Sequence, residues 1–141
     1  LEAPTGKLTY INGGHEPPLI VSGGAVKRVL SPTGPAVGMW PQVVFQRGEA
    51  TLAPGDALVG FTDGVTEALS PVGEMFGKQR LLDLMAGRNG SAAELVERLR
   101  AQLFAHIGDA QPFDDISLIV VRRGPEKKRP DATGAAGRLD A

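Results

Sequence analysis

Asp63 and the pair Asp114-Asp115 are the residues whose type and setting can do chemistry. Asp63 follows the apolar run Ala57–Thr62 (ALVGFT) and precedes Gly64, while Asp114 and Asp115 stand immediately before Ile116–Val121 (ISLIVV). An acid beside a buried strand is costly unless it is paired, hydrogen-bonded or holding a cation. If the two strands are neighbours, their Asp-bearing ends converge. Paired carboxylates with water then suit a hard divalent ion such as Mg²⁺ or Mn²⁺. Gly64 permits a sharp turn and a close approach of backbone to an ion. Equally, Asp63 can open an Asx-turn and Asp114 can cap a loop. A further candidate, His15, lies in the segment Gly13-Gly14-His15-Glu16-Pro17-Pro18. There it can act on substrate, ligate a metal or hold the turn together. His106 falls near the end of a helical stretch, where it complements the helix dipole; no function is assigned to it.

The elements that must position these residues follow from periodicity. Lys7–Asn12 alternates with the period of a strand, and Pro18–Ser22 and Ala25–Leu30 flank Gly23-Gly24, a two-residue hairpin signal. Val43–Leu52 reads as a strand interrupted by a bulge or turn at Gly48. Pro54-Gly55-Asp56 is turn chemistry and launches Ala57–Thr62, apolar enough for a central strand. Gly77–Ala86 is expected to be a short helix, broken by Gly87 to Gly90. Ser91 followed three residues later by Glu94 is a capping box, and the helix Ala92–Ile107 carries Leu95, Leu99, Leu103 and Ile107 as a core-facing stripe. Ile116–Val121 is β-branched throughout much of its length and reads as another buried strand. The pattern, about six strands and two helices, is α+β.

Composition narrows the chemistry. The chain has 141 residues, 15 Lys+Arg against 16 Asp+Glu, and no cysteine. Near-neutral charge provides no basic field for nucleic acid, and five Phe, one Tyr and one Trp, mostly in apolar runs, provide no stacking platform. Lack of cysteine excludes a disulfide scaffold, thiolate ligands and a Cys nucleophile. There is no phosphate-binding GxxxxGK loop, GxGxxG, HExxH or GxSxG. No signal peptide or membrane-spanning apolar run is visible, so a cytoplasmic protein is expected, with tethering possible only through upstream regions. Residues 1–123 are expected to fold. From Gly124 to Ala141 only Leu139 is an apolar residue larger than alanine, and a disordered tail is expected, with Lys127, Lys128 and Arg129 solvated.

Four ordered blocks carry a family resemblance. Tyr10-Ile11-Asn12-Gly13-Gly14-His15-Glu16-Pro17-Pro18, then Leu52-Ala53-Pro54-Gly55-Asp56 with Phe61-Thr62-Asp63-Gly64-Val65-Thr66-Glu67-Ala68, then Glu74-Met75-Phe76-Gly77, and finally Phe113-Asp114-Asp115-Ile116-Ser117 resemble segments of one family. It is the bacterial sporulation-stage-II-E-like serine phosphatases, a branch of the metal-dependent PP2C (PPM) phosphatases. The resemblance implies an α–β–β–α sandwich, two antiparallel sheets with a helical layer outside each. It implies that Asp63 and Asp114, the latter in preference to Asp115, are metal ligands in a site for two Mn²⁺ or Mg²⁺ ions. A metal-activated water would then attack a phosphoserine or phosphothreonine directly, with no phosphoenzyme.

The family's N-terminal metal-binding segment, an aspartate followed by glycine–histidine–glycine, has no counterpart here. The chain therefore resembles the C-terminal half of the catalytic domain, and its start at Leu1 fits a piece of a longer protein with sensor domains upstream. That half alone is expected to be inactive and to associate through uncovered sheet and helix faces; a homo-oligomer fits the same expectation. The implied substrate is a regulatory phosphoprotein such as an anti-sigma-factor antagonist, in a stress-response or sporulation partner switch. The alternative is a non-catalytic PPM-like module that binds a phosphoprotein.

Overall fold

The computed structural model describes residues 1–86, 90–110 and 114–125. In chain order the elements are β1 (Lys7–Tyr10), β2 (Leu19–Ser22), β3 (Ala25–Val29), β4 (Gly48–Thr51), β5 (Ala57–Phe61), α1 (Asp63–Thr66), α2 (Gly77–Met85), α3 (Ala92–Ile107) and β6 (Leu118–Arg122). They form two antiparallel sheets, β1-β4 and β3-β2-β5-β6. Gly23 and Gly24 turn β2 into β3 with φ of 58° and 80°, a left-handed pair that residues with a Cβ rarely adopt.

β2 and β5 lie in the middle of the larger sheet and carry its core on both faces. Leu19, Val21, Val59 and Phe61 pack against Leu81 and Met85 of α2 and the stripe Leu95, Leu99, Leu103 and Ile107 of α3. Ile20 faces the other way, into a second cluster with Leu8, Ala50 and Leu52 of the small sheet and its flank. A strand covered on both faces has no polar side to present, which is why β2 reads LIV. The capping box forms as the sequence requires: Ser91 Oγ accepts from Glu94 N, and Ser91 N donates to the Glu94 carboxylate.

Several sequence expectations are corrected. The strand expected over Val43–Leu52 is confined to Gly48–Thr51, because Phe45 is drawn away onto Gly13 and Gly34, where its ring takes the space a side chain would need. The run Ile116–Val121 has the composition of a buried strand, yet β6 starts at Leu118 and lies at the sheet edge, with Ile119 63% exposed. Its inner residues Leu118 and Val120 still pack on the helix-side core. Among the described residues helices cover only the four-stranded sheet; Lys7, Thr9, Glu49 and Thr51 on the outer face of the small one are exposed. The expected break at Gly87–Gly90 lies outside the described residues except for Gly90, and so does the expected tail from residue 126 onward. No described helix is long and apolar enough to cross a membrane.

Asp56 has the sequence setting of a turn residue, but it is a buried carboxylate, 1% exposed. Burial pushes its pKa up, and hydrogen bonds from Lys27, Ser22 and the Ala53 amide outweigh that, leaving it below the ordinary aspartate value. The Lys27 Nζ contact is 2.7 Å and the Ala53 N contact 2.9 Å. The pair ties β3 to the turn that launches β5. Asp56→Ala should therefore cost about 1–3 kcal/mol in urea denaturation, since the Ala53 amide loses its acceptor while half-exposed Lys27 regains water. A depressed folded-state pKa stabilises above the unfolded value and is lost as pH falls through the folded one. The gap between wild type and Asp56→Ala should thus narrow below about pH 4. A gap constant from pH 7 to pH 2 would contradict this.

Candidate metal centre

β5 and β6 run antiparallel with Phe61 opposite Leu118, so the end of β5 meets the start of β6. One step further the ladder changes character at Thr62. Its amide donates to the Ser117 carbonyl at 3.1 Å, as a strand residue would. Its carbonyl instead accepts from Val65 N at 3.0 Å, opening the short helix α1. The Ser117 amide is taken by Thr62 Oγ1 at 2.9 Å, and the same hydroxyl donates to the Asp115 carbonyl at 2.8 Å.

Asp63 is the first residue of α1. Its Oδ1 accepts from Gly64 N at 3.0 Å, and its carbonyl accepts from Thr66 Oγ1 and Glu67 N. Asp114 Oδ1 accepts from Asp115 N at 2.7 Å. Both carboxylates are exposed, with acceptor capacity left over. Buried Gly64 sits against the opposing loop: a Cβ there would stand 2.5 Å from the Asp115 carbonyl oxygen and 3.4 Å from that of Asp114. The absence of a side chain at Gly64 is what lets the two Asp-bearing segments close together.

His15 lies at the same end of the sheet. Leu19 is opposite Val59 in an antiparallel pair, so the segment before β2 flanks the segment after β5. Among the described residues His15 hydrogen-bonds only within its own loop: its Nδ1 lies 2.9 Å from the Glu16 carbonyl, and its amide and carbonyl are both held by buried Asn12. No hydrogen bond joins it to Asp63 or Asp114 among the described residues. The clamp behind this loop is Thr33, whose Oγ1 accepts from Asn12 N at 2.9 Å and whose amide donates to Asn12 O at 2.8 Å. Composition and spacing single out neither Asn12 nor Thr33, because their partnership spans 21 residues of sequence. His106 has Nε2 2.9 Å from the Glu74 carbonyl and its ring edge-on to Phe76.

Asp63 and Asp114 offer oxygen donors, which suit a hard divalent cation and not a soft, thiolate-bound metal. The Gly64 cradle, space that a Cβ would fill, brings backbone carbonyls beside the carboxylates. Among the described residues no group of three or more acidic, His or Cys side chains is poised to hold an ion. Two carboxylates at one end of the sheet fit such a cation only as part of a shell of six or more oxygens.

Residues 1–124 match the family model for stage II sporulation protein E (SpoIIE). The chain belongs to the SpoIIE family. Protein IcfG of Synechocystis is 41% identical over 123 residues, covering 87% of this chain and 19% of that protein. Phosphoserine phosphatase RsbU of Bacillus subtilis is 32% identical over 120 residues, covering 83% of this chain and 35% of RsbU. Among solved structures, the SiaA-PP2C domain of Pseudomonas aeruginosa superposes with a TM-score of 0.67 at 25% identity, over 83% of this chain and 46% of that one. This SpoIIE-family chain thus has the mixed helix and sheet architecture of a PP2C phosphatase domain, as the resemblance implied. It spans about a fifth to a third of those two curated relatives and under half of the SiaA chain.

Proposed function

We propose that this chain supplies the C-terminal half of the catalytic domain of a metal-dependent protein serine/threonine phosphatase, with residues 1–123 as its folded part. Asp63 and Asp114 are the carboxylates that hold Mn²⁺ or Mg²⁺. The observation that supports this best is the β5–β6 register, which brings both acids, solvent-open, to one sheet end against a glycine that admits no side chain. Two such cations, when bound, would supply Lewis acidity, lowering the pKa of a bound water and neutralising phosphoryl oxygens. The chain's own part is to aim two carboxylates into one open site, and to keep that end accessible to a protein-borne phosphoester. Because two carboxylates leave the shell unfinished, the remaining ligands belong to the other half of the domain, and this half alone is inactive. The substrate is a regulatory phosphoprotein of the anti-sigma-factor-antagonist kind; that the group removed sits on serine is favoured by the name of RsbU, a phosphoserine phosphatase.

Full-length protein titrated with Mn²⁺ by calorimetry, beside Asp114→Asn and Asp115→Asn, tests the site. Asp114→Asn should weaken binding and turnover more than the about 10- to 100-fold typical of residues behind a ligand, while Asp115→Asn stays near wild type. Absence of any binding heat would overturn the metal reading. Equal losses in the two variants would overturn the choice of Asp114.

A further inference from the structure

We infer that Thr62 is the positioning residue that locks the Asp63 segment to the Asp114 segment; this rests on the reading of those two acids as metal ligands. Threonine ahead of a helix ordinarily turns its hydroxyl onto the first turn of that helix. Thr62 stands at the N-cap of α1 and makes no such bond. Its hydroxyl crosses to the segment just before β6 instead, accepting from the Ser117 amide at 2.9 Å and donating to the Asp115 carbonyl at 2.8 Å.

The reason lies in the ladder. A regular antiparallel pair would give the Ser117 amide to the Thr62 carbonyl, but that carbonyl is committed to Val65 N, which lets the chain bend into α1. The hydroxyl substitutes for the lost carbonyl and adds a donor that the backbone does not have. The Asp115 carbonyl it grips adjoins Asp114, and Asp63 follows Thr62 directly. One side chain therefore fixes the spacing of two carboxylate segments that are about fifty residues apart in sequence. Valine can make neither bond and would leave the Ser117 amide and the Asp115 carbonyl without protein partners among the described residues. Serine can make both.

The test uses full-length protein and follows Mn²⁺ binding by the electron paramagnetic resonance signal of the free ion, beside phosphatase turnover. Thr62→Val should weaken Mn²⁺ binding about 10-fold or more, the range expected for residues that orient ligands, and Thr62→Ser should restore it. Asp63→Asn is the control. If Asp63→Asn weakens binding and Thr62→Val does not, the inference falls and the metal reading stands. If Asp63→Asn has no effect, both fall. Equal damage from Ser and Val would mean that keeping the hydroxyl does not preserve the site, and would also overturn it. Should Thr62→Val fail to fold, hydrogen exchange at the Ser117 amide of the wild-type protein decides. Slow exchange supports the clasp, and exchange at the rate of an open amide overturns it.

Discussion

Asp63→Asn in the full-length protein is expected to lower Mn²⁺-dependent phosphatase turnover at least about 100-fold, or about 2.7 kcal/mol of transition-state stabilisation, with the melting temperature unchanged. The substitution separates two roles that the geometry allows. As a structural residue, Asp63 begins α1 and accepts one hydrogen bond, from the Gly64 amide at 3.0 Å. Asparagine keeps an oxygen in the same place and performs well at helix starts, so that role survives. Exposed Asp63 contributes no packing, and its loss of charge should alter stability by no more than about 0.5 kcal/mol. As a cation ligand the same residue is irreplaceable. The neutral amide removes one of the two negative charges that Asp63 and Asp114 together are proposed to bring to the cation. Partners that merely orient ligands cost about 10- to 100-fold when lost, so removal of a ligand should cost more. A variant with wild-type turnover and unaltered Mn²⁺ dependence would return Asp63 to the role of a turn residue. Loss of turnover with a lowered melting temperature would point to a folding defect.

Much of this site is legible in the amino-acid sequence, and the features that are not share one cause. Gly23-Gly24, the Ser91–Glu94 box and the stripe Leu95, Leu99, Leu103 and Ile107 are local signals, settled by residues within one or two turns of chain. The meeting of Asp63 with Asp114 is legible conditionally, since apolar runs ending in or opening from acids converge once the strands pair. Spacing by itself reaches only α+β; the four ordered blocks supply the sandwich and the phosphatase class. The remaining features depend on distant partners. Asp56 looks like a turn residue until Lys27, 29 positions earlier, is folded onto it. Val43–Phe45 has strand composition, but the bare surfaces of Gly13 and Gly34 claim Phe45 and the segment leaves the ladder. Thr62 looks like the last residue of a strand, and only the β6 register shows that its hydroxyl stands in for a backbone carbonyl. Phe113, which helps to carry the resemblance, lies outside the described residues.

Gly64→Ala is the substitution in which two physical effects of opposite sign meet. Within a helix, alanine is favoured over glycine by about 1 kcal/mol, so propensity alone predicts a more stable protein. Gly64 is inside α1, and its φ requires no glycine, so nothing in its own backbone opposes the change. The opposition comes from across the site. The new Cβ would lie 2.5 Å from the Asp115 carbonyl oxygen and 3.1 Å from its carbon, and backbone atoms cannot rotate aside as a flexible side chain can. Overpacking of this kind costs about 1–3 kcal/mol, which exceeds the gain from propensity. The relief open to the chain is separation of the α1 start from the Asp114-Asp115 segment, and that movement stretches both bonds of the Thr62 hydroxyl. Stability should therefore fall by a net amount of about 0–2 kcal/mol. Mn²⁺ affinity and turnover should fall more sharply, by about 10-fold or more, because the carboxylate spacing is what gives way first. Urea denaturation and Mn²⁺ titration of the same full-length preparation give the two numbers. A variant that is stabilised by about 1 kcal/mol and turns over like wild type would show that the Asp63 and Asp114 segments need not be in contact for function.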